Sequence, residues 1–464
     1  MEHSTTDQLM SEFQSTRLCN KVKHFFTSFK LTSLAYKSNI RKEAGISTMN
    51  ILYHIFITPF FHEGLSGLWR EGFIPSSLKQ SGKDTYYRFL SNHRFHWRKF
   101  LNLLSINVIR AFDQYSCWQD RVLILDDSTL PKRGKHIELV SWVFDAVLKK
   151  STLGFKNLLL GWSDGFTFIP FDFSLIASSN QPHNLVKNLD SRTIGAQRRK
   201  DAVRSKLDMA REMIQKASNY GMDASFVLFD SWFSFPSFIH DVYDIGYHVI
   251  CKLKDLPTIH YILKGKTYSL GALYRKCGKD EFKPLLHIPG RCASIVVATK
   301  QGLQVRIVFY REDKSSGWSA FLSTDLERSP EEVLMTYARR WLIEPCFKEC
   351  KQHLWLGKDQ CRNFDSVFAS NALAFVRYIF LSVTQRLETD PRTLGELFRS
   401  IQVEMNELSV PQIIFELIAD EVKKMSRTLN LPQIVYSQFV KLLDSIKYYL
   451  TSLLKFDDPV GCET

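Results

Sequence analysis

The sequence lacks the short motifs that mark several large classes of protein. None of its nine cysteines forms a Cys-x2-Cys pair, and their scattered positions are typical of a chain kept in a reducing compartment. It contains no glycine-rich phosphate loop, no internal repeat and no low-complexity tract. The first residues, Met-Glu-His-Ser-Thr-Thr-Asp, carry neither a basic segment nor an apolar core, so no signal peptide is predicted.

Long apolar runs are also missing. The longest one near the C-terminus, Ala372–Val383, contains Arg377 and is shorter than the roughly 20 residues that a membrane-spanning helix needs. We therefore expect a cytoplasmic protein with no membrane partner.

Negative charge is in deficit. The chain has 61 Lys and Arg against 48 Asp and Glu, which gives a formal net charge of +13. Residues 1–110 hold fifteen basic and seven acidic residues, a net charge of +8, whereas residues 370–464 hold ten and twelve, a net charge of −2. This distribution predicts a polyanionic partner for the front and middle of the chain and protein contacts for its tail.

The basic front contains one segment that is typical of nucleic-acid binding. From Tyr86 to Phe112 the apolar spacing fits an amphipathic helix that Asp84 can cap. Basic residues such as Arg88 and Arg98 lie among aromatic residues in its first half, which favours a DNA-binding module. A solvated helix face is the alternative, and no helix-turn-helix pattern stands out.

Two apolar runs end in acids. Val122–Leu125 is followed by Asp126 and Asp127, and Phe226–Phe229 is followed by Asp230. Buried strands read as continuous apolar runs, so we expect these acids at the tips of two strands. Adjacent residues point to opposite faces of a strand, and the residues alone leave open which of the first two acids faces a site.

The segments around these two runs alternate in an order that predicts an α/β fold. Strands, a basic helix, the second acid-tipped strand, a helix and another strand follow one another, and residues 254–325 then read as further strands. The expected strands are Ile137–Val147, Asn157–Trp162, Phe166–Ile176 and Tyr247–Leu253, and the expected helices are Ala196–Tyr220 and Pro236–Ile245. Ser163-Asp-Gly-Phe is a predicted hairpin turn.

Four polar residues further on share one helical face. The helix is predicted to begin at Ser329, which is followed by a proline and two acids. At about 100° per residue from Tyr337, Arg340, Glu344 and Lys351 fall at about 300°, 340° and 320°. One carboxylate beside two cations and a phenol suits a metal-bound phosphodiester, whereas a solvated face with an Arg340–Glu344 pair is the structural alternative.

Proline interrupts this helix. Pro345 follows Glu344 directly, and inside a helix it removes a backbone hydrogen bond at a cost of roughly 3 kcal/mol. We expect a kink near Trp341, so the helical angles apply from Tyr337 to Glu344 and not directly to Lys351.

The spacing Y-x2-R-x3-E-x6-K, with Arg-Trp before Ile343-Glu344 and Lys351-Gln-His-Leu at its end, resembles the signature of DDE transposases of the bacterial insertion-sequence-four type. The resemblance implies an α/β fold with an RNase H-like catalytic core and a β-rich insertion, flanked by helical N-terminal and C-terminal regions. In that family the first acid commonly precedes Thr or Ser. The resemblance therefore favours Asp127 as a ligand and leaves Asp126 a supporting role.

The resemblance implies catalytic and metal-binding roles for Asp127, Asp230 and Glu344. It implies DNA-phosphate binding for Tyr337, Arg340 and Lys351. The implied activity is that of a transposase, which cleaves transposon ends and joins the 3′-OH to target DNA by metal-dependent phosphoryl transfer. Two Mg²⁺ ions, which Mn²⁺ can replace, would serve as cofactors. The implied partners are double-stranded DNA and a second copy of the chain in the DNA complex, at the nucleoid of a bacterial cytoplasm.

On this basis the chain divides into five parts. The predicted division is a helical DNA-binding region at 1–115, the core at 116–255, the β-rich insertion at 256–328, the core helix of the last acid at 329–370, and a helical region at 371–464 with possible protein contacts. Two other functions remain open: a non-catalytic or domesticated DNA-binding protein with this fold, and a metal-dependent nuclease. A zinc site at Cys346, Cys350, His353 and Cys361 is the rival site, but its spacing is not that of a standard zinc module, and buried cysteines are favoured.

Overall fold

A computed structural model of the chain describes residues 18–61, 64–66, 82–113, 121–178, 189–312 and 317–403, with single positions at 438, 441, 442 and 445. These residues form a mixed α/β structure in which helices pack on a large mixed sheet, in agreement with the α/β expectation. Most of the tail from 404 to 464, and residues 67–81, lie outside the described residues. The five-part division of the chain stays a prediction.

The elements follow one another in three blocks. The N-terminal helices are α1 (Leu18–Ser28), α2 (Leu31–Lys37), α3 (Thr48–Ile57), α4 (Asp84–Leu90) and α5 (Trp97–Phe112). The middle block is β1 (Val122–Pro131), β2 (Ser141–Asp145), β3 (Lys150–Ser163), β4 (Phe168–Ile176), α6 (Ile194–Ala202), α7 (Lys206–Asn219), β5 (Phe226–Phe229), α8 (Pro236–Ile245) and β6 (His248–Leu253). The last block is β7 (His260–Leu263), β8 (Lys266–Ser269), α9 (Leu270–Lys276), β9 (Lys283–Pro284), β10 (Arg291–Ala298), β11 (Gln304–Arg311), β12 (Ser319–Ser323), α10 (Pro330–Ala338), α11 (Ile343–Gln352) and α12 (Phe364–Leu387).

One twelve-stranded sheet runs through the described residues. Its order is β2-β3-β1-β5-β6-β12-β11-β10-β7-β8, with β4 paired to β3 and β9 paired to β10. Strands β1, β5 and β6 are parallel to one another, whereas β3 is antiparallel to β1 and β12 is antiparallel to β6. The strands of residues 260–323 therefore extend the same sheet as the acid-tipped strands.

The basic segment after Tyr86 differs from its prediction. It forms two helices, α4 and α5, because the ring of His96 accepts a hydrogen bond from the backbone N–H of Lys99 and starts a new helix. Tyr86 and Trp97 are buried in the core, and Arg98 is buried too, so these three residues do not lie on a DNA-binding face.

The basic helix expected from Ala196 to Tyr220 is also two helices. The hydroxyl of Ser205 accepts a hydrogen bond from the N–H of Asp208, which caps α7 and separates it from α6. Arg198 and Arg199 in α6 are buried and form ion pairs with Asp365 and, for Arg199, also with Glu138, so their two charges are neutralised inside the protein.

Helix α12 is longer than the apolar run that marks it in the sequence. By length and composition it could cross a membrane, and it is the one helix of the described residues that meets this test, but 94% of its apolar window is buried inside the protein. The ring of Phe380 packs edge-on against Phe25 and Phe56, and Arg377 donates hydrogen bonds to the carbonyls of Ile55 and Phe56. These contacts are those of a central core helix to which the N-terminal helices are attached.

The buried ion pair of Arg98 gives a stability prediction. The Arg98 guanidinium donates to both carboxylate oxygens of the fully buried Asp172, at 2.8 and 2.7 Å. Burial favours the neutral acid, but the charges of Arg98 and Lys216 prevail and lower the pKa of Asp172 to about 2. Asp172→Asn should therefore cost roughly 3–5 kcal/mol of unfolding free energy at pH 7, because it removes the bidentate counter-charge of the buried Arg98 and leaves only Glu212 at 3.3 Å and Asp201 at 3.7 Å.

Thermal unfolding measures this loss. Since the pKa of Asp172 is lowered on folding, its contribution is present above about pH 4 and is lost as the pH falls towards 2. The parent and the variant should therefore converge in acid. Asp190→Asn, which removes the exposed pair with Arg192, is the control and should leave the melting temperature unchanged. Equal effects of the two substitutions would show that Arg98 belongs to the surface after all.

Candidate active site

The first two acids meet at the carboxyl ends of two parallel strands. Strand β1 pairs with β5 from Val122↔Phe226 to Leu125↔Phe229, and all eight of these residues are buried. The same register places the next residues, Asp126 and Asp230, side by side at the edge of the pairing. The side chain of Asp127 alternates to the opposite face of β1.

The helix of the last acid is built in two pieces. Helix α10 begins with a capping box between Ser329 and Glu332, and it is followed by a 3-10 turn, Arg339–Leu342, before α11 starts. Pro345 lies in the first turn of α11, where its missing N–H is tolerated. The predicted break near Trp341 is confirmed, and a single continuous helix is not observed.

Arg340 joins the two halves of the site. One terminal nitrogen of its guanidinium donates to Asp126 Oδ2 at 2.9 Å, and the other donates to Glu344 Oε1 at 2.8 Å. The side chains of Arg340 and Asp126 are 11% and 18% exposed, whereas that of Glu344 is 38% exposed. Glu344 is therefore the most exposed of these three side chains, and its carboxylate accepts a charge-assisted hydrogen bond from the more buried Arg340.

Asp127 has different neighbours. Its carboxylate forms ion pairs with Lys206, the first residue of α7, and with Lys156 of β3 at 3.1 Å. The structure thus brings Asp126, and not Asp127, into contact with the Arg340–Glu344 pair. The cause is the alternation of side chains along β1, which gives each of the two acids its own face.

Burial makes the carboxylates of this edge hard to ionise. It raises the pKa of Asp126 to about 7, against the attraction of Arg340 and with the help of the neighbouring Asp230. Burial also raises the pKa of Asp230, whose carboxylate accepts a hydrogen bond from the backbone N–H of Trp232 at 3.0 Å. Arg340 alone therefore does not offset the cost of burying the ionised carboxylates, and a further cation would stabilise their charged forms.

The other two residues of the signature lie along the same side of the site. The guanidinium of Arg340 is 5.9 Å from the ring centre of Tyr337, and burial raises the pKa of this tyrosine. Lys351 donates a 2.6 Å hydrogen bond to the hydroxyl of Ser128, two residues after Asp126 on β1. Burial lowers the pKa of Lys351. Despite the break before Pro345, Arg340 and Lys351 thus both contact β1, whereas Tyr337 packs against Phe321 of β12.

Several neighbours of the site were missed from the sequence. Lys206, Lys156 and Ser128 contact site residues, but single polar residues in a helix start or a strand carry no distinctive pattern. Trp232 is 47% exposed, and the amine of Lys206 lies 3.2 Å from its ring centre. Only its neighbour Phe233 is fully buried.

The donor set suits a hard divalent cation. Asp126, Asp230 and Glu344 offer only carboxylate oxygens, and the raised pKa of the first two marks negative charge that the protein neutralises incompletely. Within the described residues, however, no three carboxylate, histidine or cysteine side chains are close enough together to hold a metal ion. At this edge the guanidinium of Arg340 lies between Asp126 and Glu344. These two carboxylates can therefore bind the same ion only after the Arg340 side chain moves.

The rival zinc site is not assembled. Cys346 and Cys350 are fully buried, as expected for core cysteines, and the Cys350 thiol donates to the carbonyl of Ala374. His353 lies against Glu349 at 3.6 Å and against the ring of Phe398.

Comparison with known proteins gives one family. Residues 76–302 match the family model described as DDE superfamily endonuclease, and this match supports a DDE-type transposase family. The matched range includes Asp126, Asp127 and Asp230 but ends before the helix of Glu344. A search of curated proteins found no match.

The two adjacent aspartates should respond oppositely to neutralisation. Because the pKa of Asp126 is raised from 3.8 to about 7, the folded chain holds a proton that the unfolded chain releases, and stability falls as the pH rises through this window. In metal-free buffer, Asp126→Asn should therefore raise the melting temperature at pH 8 and leave it unchanged near pH 4. Thermal unfolding across this pH range measures the difference.

Asp127→Asn is the matched control. It removes the ion pairs with Lys206 and Lys156, so it should lower the melting temperature at pH 8. If both substitutions destabilise the protein at pH 8, the excess negative charge does not reside on Asp126.

Proposed function

We propose that the chain is a DNA transposase, which cleaves transposon ends and joins the freed 3′-OH to target DNA by metal-dependent phosphoryl transfer. The observation that carries this proposal is the link that Arg340 makes between Asp126 and Glu344 at the sheet edge that Asp230 also reaches, with Lys351 bonded to Ser128 nearby. The match to DDE endonucleases supports it independently. The strand order β4-β3-β1-β5-β6 and its directions support an RNase H-like core, and the Y-x2-R-x3-E-x6-K spacing supports the insertion-sequence-four type.

In this proposal Asp126 replaces Asp127 as the first acid. Asp126 contacts the guanidinium that also binds Glu344, whereas Asp127 is balanced by two lysines on the other face. Asp127 then positions β1 against α7 through Lys206.

The chain's own residues have distinct tasks. Asp126, Asp230 and Glu344 would hold the Mg²⁺ or Mn²⁺ ions, which supply Lewis-acid stabilisation of the attacking and leaving oxygens when bound. Arg340 would release one carboxylate and donate to a phosphate group of DNA instead. Its planar guanidinium favours a bidentate contact with the phosphate oxygens. Its Nε is buried and has no hydrogen-bond partner among the described residues, so it has a donor to spare. Tyr337 and Lys351 would complete the phosphate contacts.

Other parts of the proposal concern partners and place. Double-stranded DNA is the substrate, as transposon ends and as target. A homodimer in the DNA complex, a cytoplasmic location at the nucleoid and the absence of a membrane partner complete the proposal. A metal-dependent nuclease without strand transfer is the second candidate, since the matched family is described as an endonuclease. Joining of the cleaved 3′ end to target DNA, detected as a longer DNA product, would indicate a transposase, whereas cleavage alone would indicate a nuclease.

Loss of a metal ligand should abolish chemistry and spare binding. Asp126→Asn, Asp230→Asn and Glu344→Gln should each slow cleavage of transposon-end DNA by roughly a thousandfold or more, because each removes a ligand of the ions. Affinity for DNA should change little, since basic surfaces carry it. Single-turnover cleavage and a gel-shift titration measure the two effects, and Asp127→Asn should retain more cleavage than Asp126→Asn. The opposite order would return the role of first acid to Asp127.

Arg340 should act on phosphate more than on stability. Arg340→Lys keeps the charge but loses the fork that reaches two oxygens, so we expect cleavage to slow by about tenfold or more with a small change in melting temperature. Lys351→Gln should behave similarly and also lose its bond to Ser128. Losses of activity in proportion to losses of stability would make both residues structural partners only.

A further inference from the structure

Two loops beyond the site form a second basic surface. The turn after β1, residues 131–137, and the loop after α11, residues 357–362, enclose a groove of about 580 Å³. Arg133, His136, Lys358 and Arg362 line it and are exposed to solvent. None of the roles assigned to the signature residues uses this groove.

The groove has a neutral floor and a basic rim. Lys132 and Asp359, both about 3% exposed, form an ion pair at 2.7 Å across the two loops. Lys132 also donates to the carbonyl of Gly357 at 3.0 Å. Asp359 is the one acid among the described residues that line the groove, and Lys132 compensates it. The remaining positive charge therefore belongs to the exposed rim.

The walls of the groove are held in place before any ligand arrives. The buried Glu138 accepts hydrogen bonds from Arg199 at 2.7 and 2.8 Å and from the backbone N–H of Phe364 at 2.9 Å. Its own N–H donates to the carbonyl of Arg362 at 2.9 Å. Gly357, at φ 75°, brings the second loop against Leu130, where an added Cβ would lie 3.2 Å from the side chain. A surface that is fixed in this way binds a ligand at a lower entropic cost.

The groove continues a line of cations that starts at the acids. Along β1, Arg340 contacts Asp126, Lys351 contacts Ser128, and the groove opens after Pro131. At about 3.3 Å per residue, the five residues from Asp126 to Pro131 span roughly 17 Å. This length corresponds to about five steps of 3.4 Å along a DNA duplex.

We propose that this groove binds the sugar-phosphate backbone of the DNA about five base pairs from the phosphate that is cleaved. The inference rests on the proposed function, because it assigns the place of the same DNA substrate on the protein. Arg133 and Arg362 make the principal phosphate contacts, and Lys358 adds charge. Contacts of this kind fix the register of a duplex without reading its sequence.

The salt dependence of DNA binding tests the groove apart from catalysis. Arg133→Ala/Arg362→Ala should lower the slope of log affinity against log salt by about two, because each phosphate contact contributes about 0.9. Lys266→Ala/Lys300→Ala removes two exposed cations from the opposite end of the sheet, in β8 and just after β10, and should leave the slope unchanged. The full chain is used with EDTA and a random-sequence duplex, so no cleavage step enters.

Further variants and measurements distinguish the groove from its alternatives. Arg133→Lys/Arg362→Lys should keep most of the parent slope, and melting temperatures of all variants should match, since charge and not packing is at stake. Equal slopes for the two Ala pairs would overturn the groove proposal even if the protein cleaves DNA. Displacement of DNA by inorganic phosphate at constant ionic strength, lost in the Arg133→Ala/Arg362→Ala variant, would also overturn it in favour of a small-anion site. Failure of the parent to cleave DNA with Mg²⁺ or Mn²⁺ would instead count against the transposase.

Discussion

The register between β1 and β5 decides which acids can meet. Each strand has four consecutive buried residues in this pairing, followed directly by an acid. The alternation of burial that fixes the register of half-exposed strands is absent here, because both faces are covered. The ends of the two strands fix the register instead. Only the pairing of Val122 with Phe226 places all four apolar residues of one strand opposite those of the other and leaves Asp126 and Asp230 together at the edge. A slip by one residue would pair one of these acids with an apolar residue.

Charge then separates the two adjacent aspartates of β1. Asp127 faces Lys206 and Lys156, so its charge is matched on its own side of the sheet. Asp126 shares one cation, Arg340, with Glu344 and lies beside Asp230, and its raised pKa is the consequence of burial among too few positive charges. A group of carboxylates with too few neighbouring cations in the free protein is suited to bind additional cations. In the conformation described here Arg340 lies between Asp126 and Glu344. Under the proposed function, a DNA phosphate would draw Arg340 away and leave these carboxylates free to bind the ions.

The sequence predicts the parts of this site that depend on local patterns. The acid-tipped strands, the hairpin turn at Ser163–Phe166 and the break before Pro345 follow from apolar runs, turn residues and a missing N–H. It fails where the outcome depends on a distant partner. Arg98 looks like a surface cation until Asp172, 74 residues away, is placed beside it, and Arg198 pairs with Asp365 across 167 residues. The lysine partners of Asp127 could not be predicted for the same reason, since no local pattern shows which face of β1 receives α7 and which receives α11. The choice between Asp126 and Asp127 as first acid stays a prediction.

Two separate lines of support converge on one geometry. The family match covers the strands of Asp126 and Asp230 but ends at residue 302, whereas the signature that first suggested a transposase lies in residues 337–351. Neither region contains the residues of the other. They are connected by the hydrogen bond from Arg340 to Asp126, which spans 214 residues of sequence. A helix that had only a solvated Arg340–Glu344 pair would have no cause to contact the acid of a distant strand, so this contact argues against a purely solvated surface ion pair.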